Sequence, residues 1–497
     1  MTGSRVTIPL LPSGVPGLDA ILGGGLPELS FNVVAGGPGT GKTTLALQFA
    51  FANATSERPA LLFTVLGETT LKLLRYQQQY SFFDTDAIGT RIRLVNLGEE
   101  ALTNDLGLVL ARIIAEVEAA QPAIVIVDSF RSVTSATSTP DLAFERFVQA
   151  LAVHLTTWDV TSLMLGEYRS GEIADPIFTV ADGVLFLSQD IDRNSVVRKL
   201  QVVKMRGSAT QPGLHTYRID SDGLQAFPRI PSAPPAKSLA PRRRLSTGIR
   251  ELDEMMGGGI PSGDAVVVAG PTGSGKTTLT THFVRAGLEA REPVVLVVFE
   301  EFPRTYVERA RKLVDLDAMK ARGQLEIIYL RPLDLSVDET LHEIRTAVLR
   351  LEAQRVVIDS LSGFEVALAP TFRVDFAESL YRLVGAIIPL GITIMLTVET
   401  VETAGLVRFK NDAVSFLTDD IILQRYVEME GRIDRVLSVL KMRGSAHSKD
   451  LRLYEATAKG IVIGDVPVGY DALTSGIPHQ VDGRRLHGGR TRTGDGA

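Results

Sequence analysis

This chain contains one folding unit written twice, and that constrains its fold more than any other feature. Residues 13–49 read SGVPGLDAILGGGLPELSFNVVAGGPGTGKTTLALQF, and residues 247–283 read TGIRELDEMMGGGIPSGDAVVVAGPTGSGKTTLTTHF, at one constant offset and without a gap. Downstream, IVIVDS (124–129) is echoed by VVIDS (356–360), and KMRGS at 204–208 returns at 441–445. Blocks that recur in the same order at similar spacing mark a duplicated domain. The 497 residues give each copy enough chain to bury its own core.

The repeat also sets the expected boundaries. Between Phe227 and Leu245 lies PRIPSAPPAKSLAPRRR, with five prolines and no apolar periodicity, which describes an extended linker at 228–244. Arg242, Arg243 and Arg244 are expected to be solvated parts of it. The two domains are then 1–227 and 245–465. A tail at 466–497 ends in HGGRTRTGDGA and is expected to be partly disordered. Within each copy, short apolar runs alternate with longer amphipathic ones. FNVVAG, ALLFTVL, AIVIVD and TSLMLGE read as strands in the first copy, as do AVVVAG, VVLVVFEE, VVIDS and TIMLTVE in the second. TLALQFAFANA and TLTTHFVRAGLEA read as helices. The pattern predicts an α/β fold, each domain a mostly parallel sheet covered by helices.

The motif G-x-x-x-x-G-K-T follows the first strand of each copy, from Gly36 to Thr43 and from Gly270 to Thr277. Glycines let the backbone curl closely around a phosphate, so that its N–H groups point at the oxygens, and the following helix offers its positive end. Gly39, Thr40, Gly41, Lys42, Thr43 and Thr44 form the first candidate cradle. Gly273, Ser274, Gly275, Lys276, Thr277 and Thr278 form the second. The lysine suits the outer phosphates and the first threonine suits Mg2+. Such a site needs a strand-end carboxylate to hold the metal's water shell, and Asp128 and Asp359 stand at the ends of their strands. An Asp in that place also serves as a turn or helix cap. A nucleophile must be oriented as well. Glu68 follows one strand and Glu300 with Glu301 follows its counterpart; Gly67 stands where the second copy has Glu300. The two sites are therefore expected to differ. In KMRGS, alternation along a strand would put Lys204 with Arg206, and Lys441 with Arg443, on one face. Those cations could meet a phosphate on a neighbouring subunit, or could simply be an exposed basic strand.

Composition removes several classes. With no cysteine there is no disulfide, thiol catalysis or cysteine-held zinc. A net charge of −6 gives no support to a nucleic-acid coat. The N-terminus has no basic region followed by an apolar core, and the longest apolar run, Leu383–Val398, is interrupted by Pro389 and Gly391. No membrane span is expected, and the expected location is cytoplasmic.

Together, the T/S-G-[IV]-x-x-L-D openings, both P-loops, the Glu-bearing and Asp-Ser strand ends and both KMRGS blocks resemble the KaiC-like family of tandem RecA-like P-loop ATPases. The resemblance spans about residues 10–465. It is especially close over TDDIILQRYVEMEGRIDRVLSVLKMRGSAHSKD (418–450). It implies two RecA-like domains and a homohexamer with ATP between adjacent subunits, the P-loop coming from one and the KMRGS strand from the next. By position it assigns nucleotide contacts to Arg198, Lys204, Met205, Arg206, Ser208 and Thr210. In the second copy it assigns Arg435, Lys441, Met442, Arg443, Ser445, His447 and Lys449. It implies ATP hydrolysis, serine/threonine autokinase activity in the second domain assisted by the paired glutamates, and Kai-type or signalling partners. Ser415 matches the first hydroxyl acceptor, but Phe416 stands where the family's clock protein has a second one. A two-site phosphorylation cycle is therefore in doubt. An ATP-gated scaffold without kinase activity and a DNA-dependent ATPase are the competing readings. The acidic charge weighs against the last.

Overall fold

The structure is a computed structural model that describes residues 8–65, 70–103, 105–129, 141–169, 176–192, 195–229, 242–330, 335–374, 376–403, 406–409, 417–471 and 479–480. The chain divides into two compact units, residues 1–229 and 230–497.

The first unit is built on strands β1 (Phe31–Gly36), β2 (Ala60–Thr64), β3 (Ile92–Asn96), β4 (Ile124–Asp128), β5 (Thr161–Gly166), β6 (Gly183–Asp192), β7 (Ser195–Met205), β8 (His215–Asp220) and β9 (Gly223–Phe227). They form one sheet in the order β9-β8-β7-β6-β1-β5-β4-β2-β3. From β6 through β1 to β3 all pairings are parallel, and β6-β7-β8-β9 is antiparallel. A parallel sheet must be covered on both faces, and β1 is buried along its whole length. Its alternation feeds two cores. Val33 and Ala35 join the cluster under helices α2 (Leu106–Ala120) and α3 (Asp141–Thr157), while Val34 joins the cluster under α1 (Lys42–Asn53).

The second unit repeats the plan. Its strands are β10 (Ala265–Gly270), β11 (Val294–Val298), β12 (Leu325–Tyr329), β13 (Arg355–Asp359), β14 (Thr393–Thr403), β15 (Leu406–Phe409), β16 (Asp420–Met429), β17 (Arg432–Met442), β18 (Arg452–Thr457) and β19 (Gly460–Ile463). The order is β12-β11-β13-β14-β10-β16-β17-β18-β19, with β15 paired to β14 off this path. Val267 and Ala269 enter the core beneath α5 (Val337–Leu351) and α6 (Phe376–Ile387). Val266 and Val268 enter the core beneath α4 (Lys276–Glu289). Ser336 caps α5 by accepting a hydrogen bond from the Glu339 backbone N–H at 3.0 Å. The strand runs and the fold class expected from the sequence are present: each unit is an α/β domain with a mostly parallel sheet covered by helices.

The three arginines before Leu245 depart in part from expectation. Arg242 pairs with buried Asp264, and Arg243 pairs with buried Glu292, which also binds Arg355 at 2.6 Å. Arg244 donates to the Met256 and Gly259 carbonyls at 2.9 and 2.8 Å and to Ser445 Oγ at 2.9 Å. Arg242 and Arg243 stay exposed, as expected of solvated charges, but each also pairs with a buried acid, and half-buried Arg244 is an anchor of the second unit. Composition conveyed their charge but not the buried acids awaiting them.

Candidate functional site

Each P-loop lies between the C-terminal end of the central strand and the N-terminus of the next helix. Such a switch point is where open α/β sheets bind ligands. Gly41 begins α1 with φ +89°, and a Cβ there would sit 2.5 Å from Ile219 Cδ1, so only glycine fits. Lys42 Nζ donates to the Gly36 and Gly37 carbonyls at 2.9 and 2.8 Å, and Lys276 Nζ to those of Gly270 and Pro271 at 2.8 and 2.9 Å. Each loop is braced by a tyrosine on the strand next to the sheet's edge. Tyr217 OH donates to the Thr40 carbonyl and Tyr454 OH to the Ser274 carbonyl, both at 2.6 Å. The first loop opens on a cavity of about 520 Å³ lined by Gly39, Lys42, Thr43, Asp128 and Glu167 among others.

The residues suggested for a metal stand together. Thr43 Oγ1 donates to Asp128 Oδ2 at 2.6 Å. Asp359 accepts from Thr397 Oγ1 at 2.6 Å and from Thr277. Burial raises the Asp359 pKa, with those hydroxyls opposing it. Among the described residues no group of three His, Asp or Glu side chains could hold a metal alone. One hydroxyl and one carboxylate per site suit Mg2+, which takes phosphate oxygens and water for its other positions. Both lysines have their pKa lowered by burial. Lys42 is supported as a cation by Glu167 and then Asp128, and Lys276 by Glu399, Asp359 and Glu300 in that order.

Of the suggested catalytic carboxylates, Glu300 accepts from Ser360 Oγ at 2.6 Å and Glu301 pairs with Arg309 at 2.6 Å. Glu68 lies outside the described residues, as do Ser415 and Phe416. In both units the Asp–Ser peptide following the carboxylate strand is cis.

The KMRGS blocks are elsewhere in each unit. β7 and β17 end at Met205 and Met442, so Arg206 and Arg443 fall in the turns just beyond, and Arg206 stays close enough to Lys204 to lower its pKa, after burial. A bulge lies just before each block, between Ile421 and Ile422 and between Val184 and Leu185 on the partner strands. The two copies still use the same contacts. Lys204 Nζ donates to the Phe178 and Thr179 carbonyls at 3.3 and 3.1 Å, and Lys441 Nζ to that of Thr418 at 2.5 Å. Arg206 pairs with Asp182 at 3.1 Å and Arg443 with Asp419 at 3.5 Å, both arginines staying exposed. Met442 packs into the core, while Ser208, Thr210, Ser445 and His447 are half-buried and Lys449 is exposed. Arg435 lies 5.6 Å from the Tyr426 ring centroid, and Arg198 is half-buried on the matching strand. None of the first-unit members of this group lines the cavity at Lys42.

The family profile described as "ATPase: KaiC" matches residues 11–230 and again residues 245–467. The chain belongs to the KaiC ATPase family. Membership carries ATP binding with it. Among its curated KaiC relatives is the circadian clock oscillator protein KaiC of Parathermosynechococcus lividus, 29% identical over 490 residues, covering 96% of this chain and 89% of the relative. The KaiC of Picosynechococcus sp. is 28% identical, covering 94% of this chain and 92% of the relative. That of Prochlorococcus marinus strain MIT 9313 is 28% identical, covering 96% and 97%. No helix among the described residues is long and apolar enough to cross a membrane.

Two pairs of KaiC-fold site residues escaped the sequence reading: Tyr217 with Tyr454, and Glu167 with Glu399. Each pair occupies matching places in the two copies. Comparing the copies beyond their identical blocks, at HTYRID against RLYEAT and at TSLMLGE against TIMLTVE, would have found them.

Proposed function

We propose that this KaiC-family chain is an ATP-hydrolysing switch that assembles as a homohexamer. Phosphoryl transfer to protein is confined to the second unit, with Ser415 as acceptor. The observation that carries this reading is the double convergence of a P-loop lysine, a threonine hydroxyl and a strand-end carboxylate. Lys42 and Lys276 would neutralise the outer phosphates, assisted by the N-terminal ends of α1 and α4. Thr43 with Asp128, and Thr277 with Asp359, would hold Mg2+, which when bound would offset the charge that develops on the phosphates. Glu300 would orient the attacking hydroxyl in the second site and Glu68 the water in the first. Lys204, Arg206, Lys441 and Arg443 would meet the nucleotide of a neighbouring copy; the first-unit pair does not line the cavity at Lys42, which supports this.

The relatives are named as circadian clock oscillator proteins, and a clock-like signalling role with protein partners in the cytoplasm is the physiological reading. Phe416 leaves room for one acceptor where two would be needed for a two-site cycle. The acidic charge disfavours nucleic acid as a partner. A second reading, an ATP-gated scaffold without kinase activity, draws on one observation: both members of the glutamate pair are engaged, Glu300 by Ser360 and Glu301 by Arg309.

Incubating the purified chain with γ-labelled ATP, then mapping phosphosites in wild type and Ser415→Ala, separates these readings. The expected result is label on Ser415 that disappears in the variant. Label persisting in the variant would remove Ser415 as sole acceptor. Hydrolysis with no protein label would establish the scaffold reading instead.

A further inference from the structure

The cavity at the first P-loop has a wall that the phosphate chemistry does not use. Besides the loop itself it is lined by Leu73, Gln77, Tyr80 and Ile219. Leu73 and Gln77 lie four residues apart, on one face of the helix Thr70–Gln77. The chain then turns, and the Tyr80 backbone N–H donates to the Gln77 carbonyl at 3.1 Å. The Tyr80 ring stacks on Phe82, with centroids 5.5 Å apart and planes 13° apart. This turn is pinned to the β8–β9 connection: the Ser81 N–H donates to the Ser221 carbonyl at 2.9 Å, and the Ser81 hydroxyl to Asp222 at 2.6 Å. The wall is therefore apolar and aromatic, with one amide in it.

That amide is unsatisfied. Gln77 Oε1 is shielded from solvent and, among the described residues, receives no hydrogen bond. An amide oxygen left so is destabilising, and a ligand group that donates to it removes the penalty. The terminal torsion of a glutamine is soft, so the amide can turn to meet such a group. A nucleotide with its phosphates on the loop has one flat, partly apolar portion left, its base. Adenine carries an amino donor at position 6 beside a ring-nitrogen acceptor, and a glutamine amide matches both. A purine with oxygen at position 6 sets an acceptor against Oε1.

The second unit is built differently at this wall. Its matching helix, Pro303–Ala310, has the same eight-residue length and ends on alanine where the first ends on Gln77. Ala310 is packed into the core beneath α4. Three residues on, Leu313 stands where the first unit has Tyr80.

We propose that Gln77 determines which base the first site accepts, pairing its amide with the amino edge of adenine while Tyr80 packs beside the ring. This rests on the nucleotide-binding reading above and deepens it. Ala310 and Leu313 give the second site no such test, so the two sites of one chain differ in base selectivity. The first is adenine-selective and the second admits 6-oxo purines.

The test is hydrogen exchange on the full chain titrated with Mg2+ and ADP, GDP or IDP, following peptides over Lys42–Asn53 and Lys276–Glu289. Inosine differs from guanosine in lacking the 2-amino group, so it isolates position 6. In wild type, ADP is expected to protect Lys42–Asn53 at a concentration about tenfold or more below that needed for GDP or IDP. Lys276–Glu289 should show a preference smaller than that. Gln77→Ala, which copies the second unit, should bring the three nucleotides together at Lys42–Asn53 and leave Lys276–Glu289 unchanged. Gln77→Met keeps the side-chain volume and should do the same. Tyr80→Ala should weaken all three nucleotides alike, because stacking does not distinguish the bases. A first-site preference for ADP that survives both Gln77 variants, or IDP binding there as tightly as ADP, overturns the proposal alone. Failure of all three nucleotides to protect Lys42–Asn53 in wild type overturns it together with the nucleotide-binding reading.

Discussion

Asp420 is wholly buried at the start of β16, where the first unit has Gly183. Among the described residues no donor reaches its carboxylate oxygens with full hydrogen-bond geometry, although the nearby Arg443 backbone N–H opposes the rise in its pKa. Burial, then the Asp264 and Asp419 carboxylates, push its pKa up to about 7, with the Arg443 N–H and Arg244 opposing. Asp264 is pushed up to about 6 by burial and then Asp419, against Arg242 and Arg244. Both values lie above the roughly 3.9 of an unfolded aspartate. Between about pH 4 and 7 the folded state therefore binds protons that the unfolded state does not. The resulting stabilisation is full at the acid end of the window and is lost as pH rises through it. Asp420→Asn should leave the second unit's stability near pH 5 little changed and raise it at pH 8 by about 1–3 kcal/mol. Urea denaturation at the two pH values measures this; equal stability of the two chains at pH 8 would mean that the buried carboxylate ionises without cost. The first unit has no counterpart to this effect, because a Cβ at Gly183 would fall 2.2 Å from Asn32 Oδ1.

At the scale of elements, the phosphate sites depend on how α1 and α4 begin. Both start after a glycine in the left-handed region, Gly41 at φ +89° and Gly275 at φ +98°. Alanine at either place is strained by about 1–3 kcal/mol and turns the first helical N–H groups away from the loop. The two positions should not respond equally. A Cβ at Gly41 meets Ile219 Cδ1 at 2.5 Å, whereas one at Gly275 meets Ile461 Cδ1 at 3.2 Å. Gly41→Ala should therefore cost more stability and more nucleotide affinity than Gly275→Ala, read by thermal melts and by titration with a fluorescent nucleotide. Equal losses would show that backbone strain alone sets the effect. These loops were legible in the sequence because their chemistry is local: a strand, a run of glycines and a helix follow one another without a break between Phe31 and Asn53 and between Ala265 and Glu289. The buried strands were legible for a similar reason, since a parallel sheet covered on both faces leaves continuous apolar runs. The Tyr217 and Tyr454 braces were not, because each crosses more than 170 residues to reach its loop. Nor was the role of Glu399 in supporting Lys276 as a cation, which depends on β14 lying beside β10.

At the scale of the whole molecule, the two copies share a plan but not an inventory. The second has Glu300 beside Glu301 and the buried Asp420; the first has Gly67 and Gly183 at the corresponding positions. A nucleotide held between neighbouring copies acts as a ligand of the assembled state only. At about 100 times its dissociation constant it adds about 2.7 kcal/mol per occupied site to assembly. Losing one site per copy is therefore enough to move a ring's dissociation by about two decades in protein concentration. If the first unit, with Gly67 beside Glu68, chiefly holds the assembly together, Lys42→Ala should shift the hexamer towards smaller species by that amount. Lys276→Ala should leave the hexamer largely intact and abolish phosphate on Ser415. Sedimentation velocity across a dilution series in saturating ATP, with phosphosite mapping of the same samples, distinguishes the two. Equal loss of assembly in both variants would mean that the sites share the work of holding the ring, and that the differences between the copies serve chemistry alone.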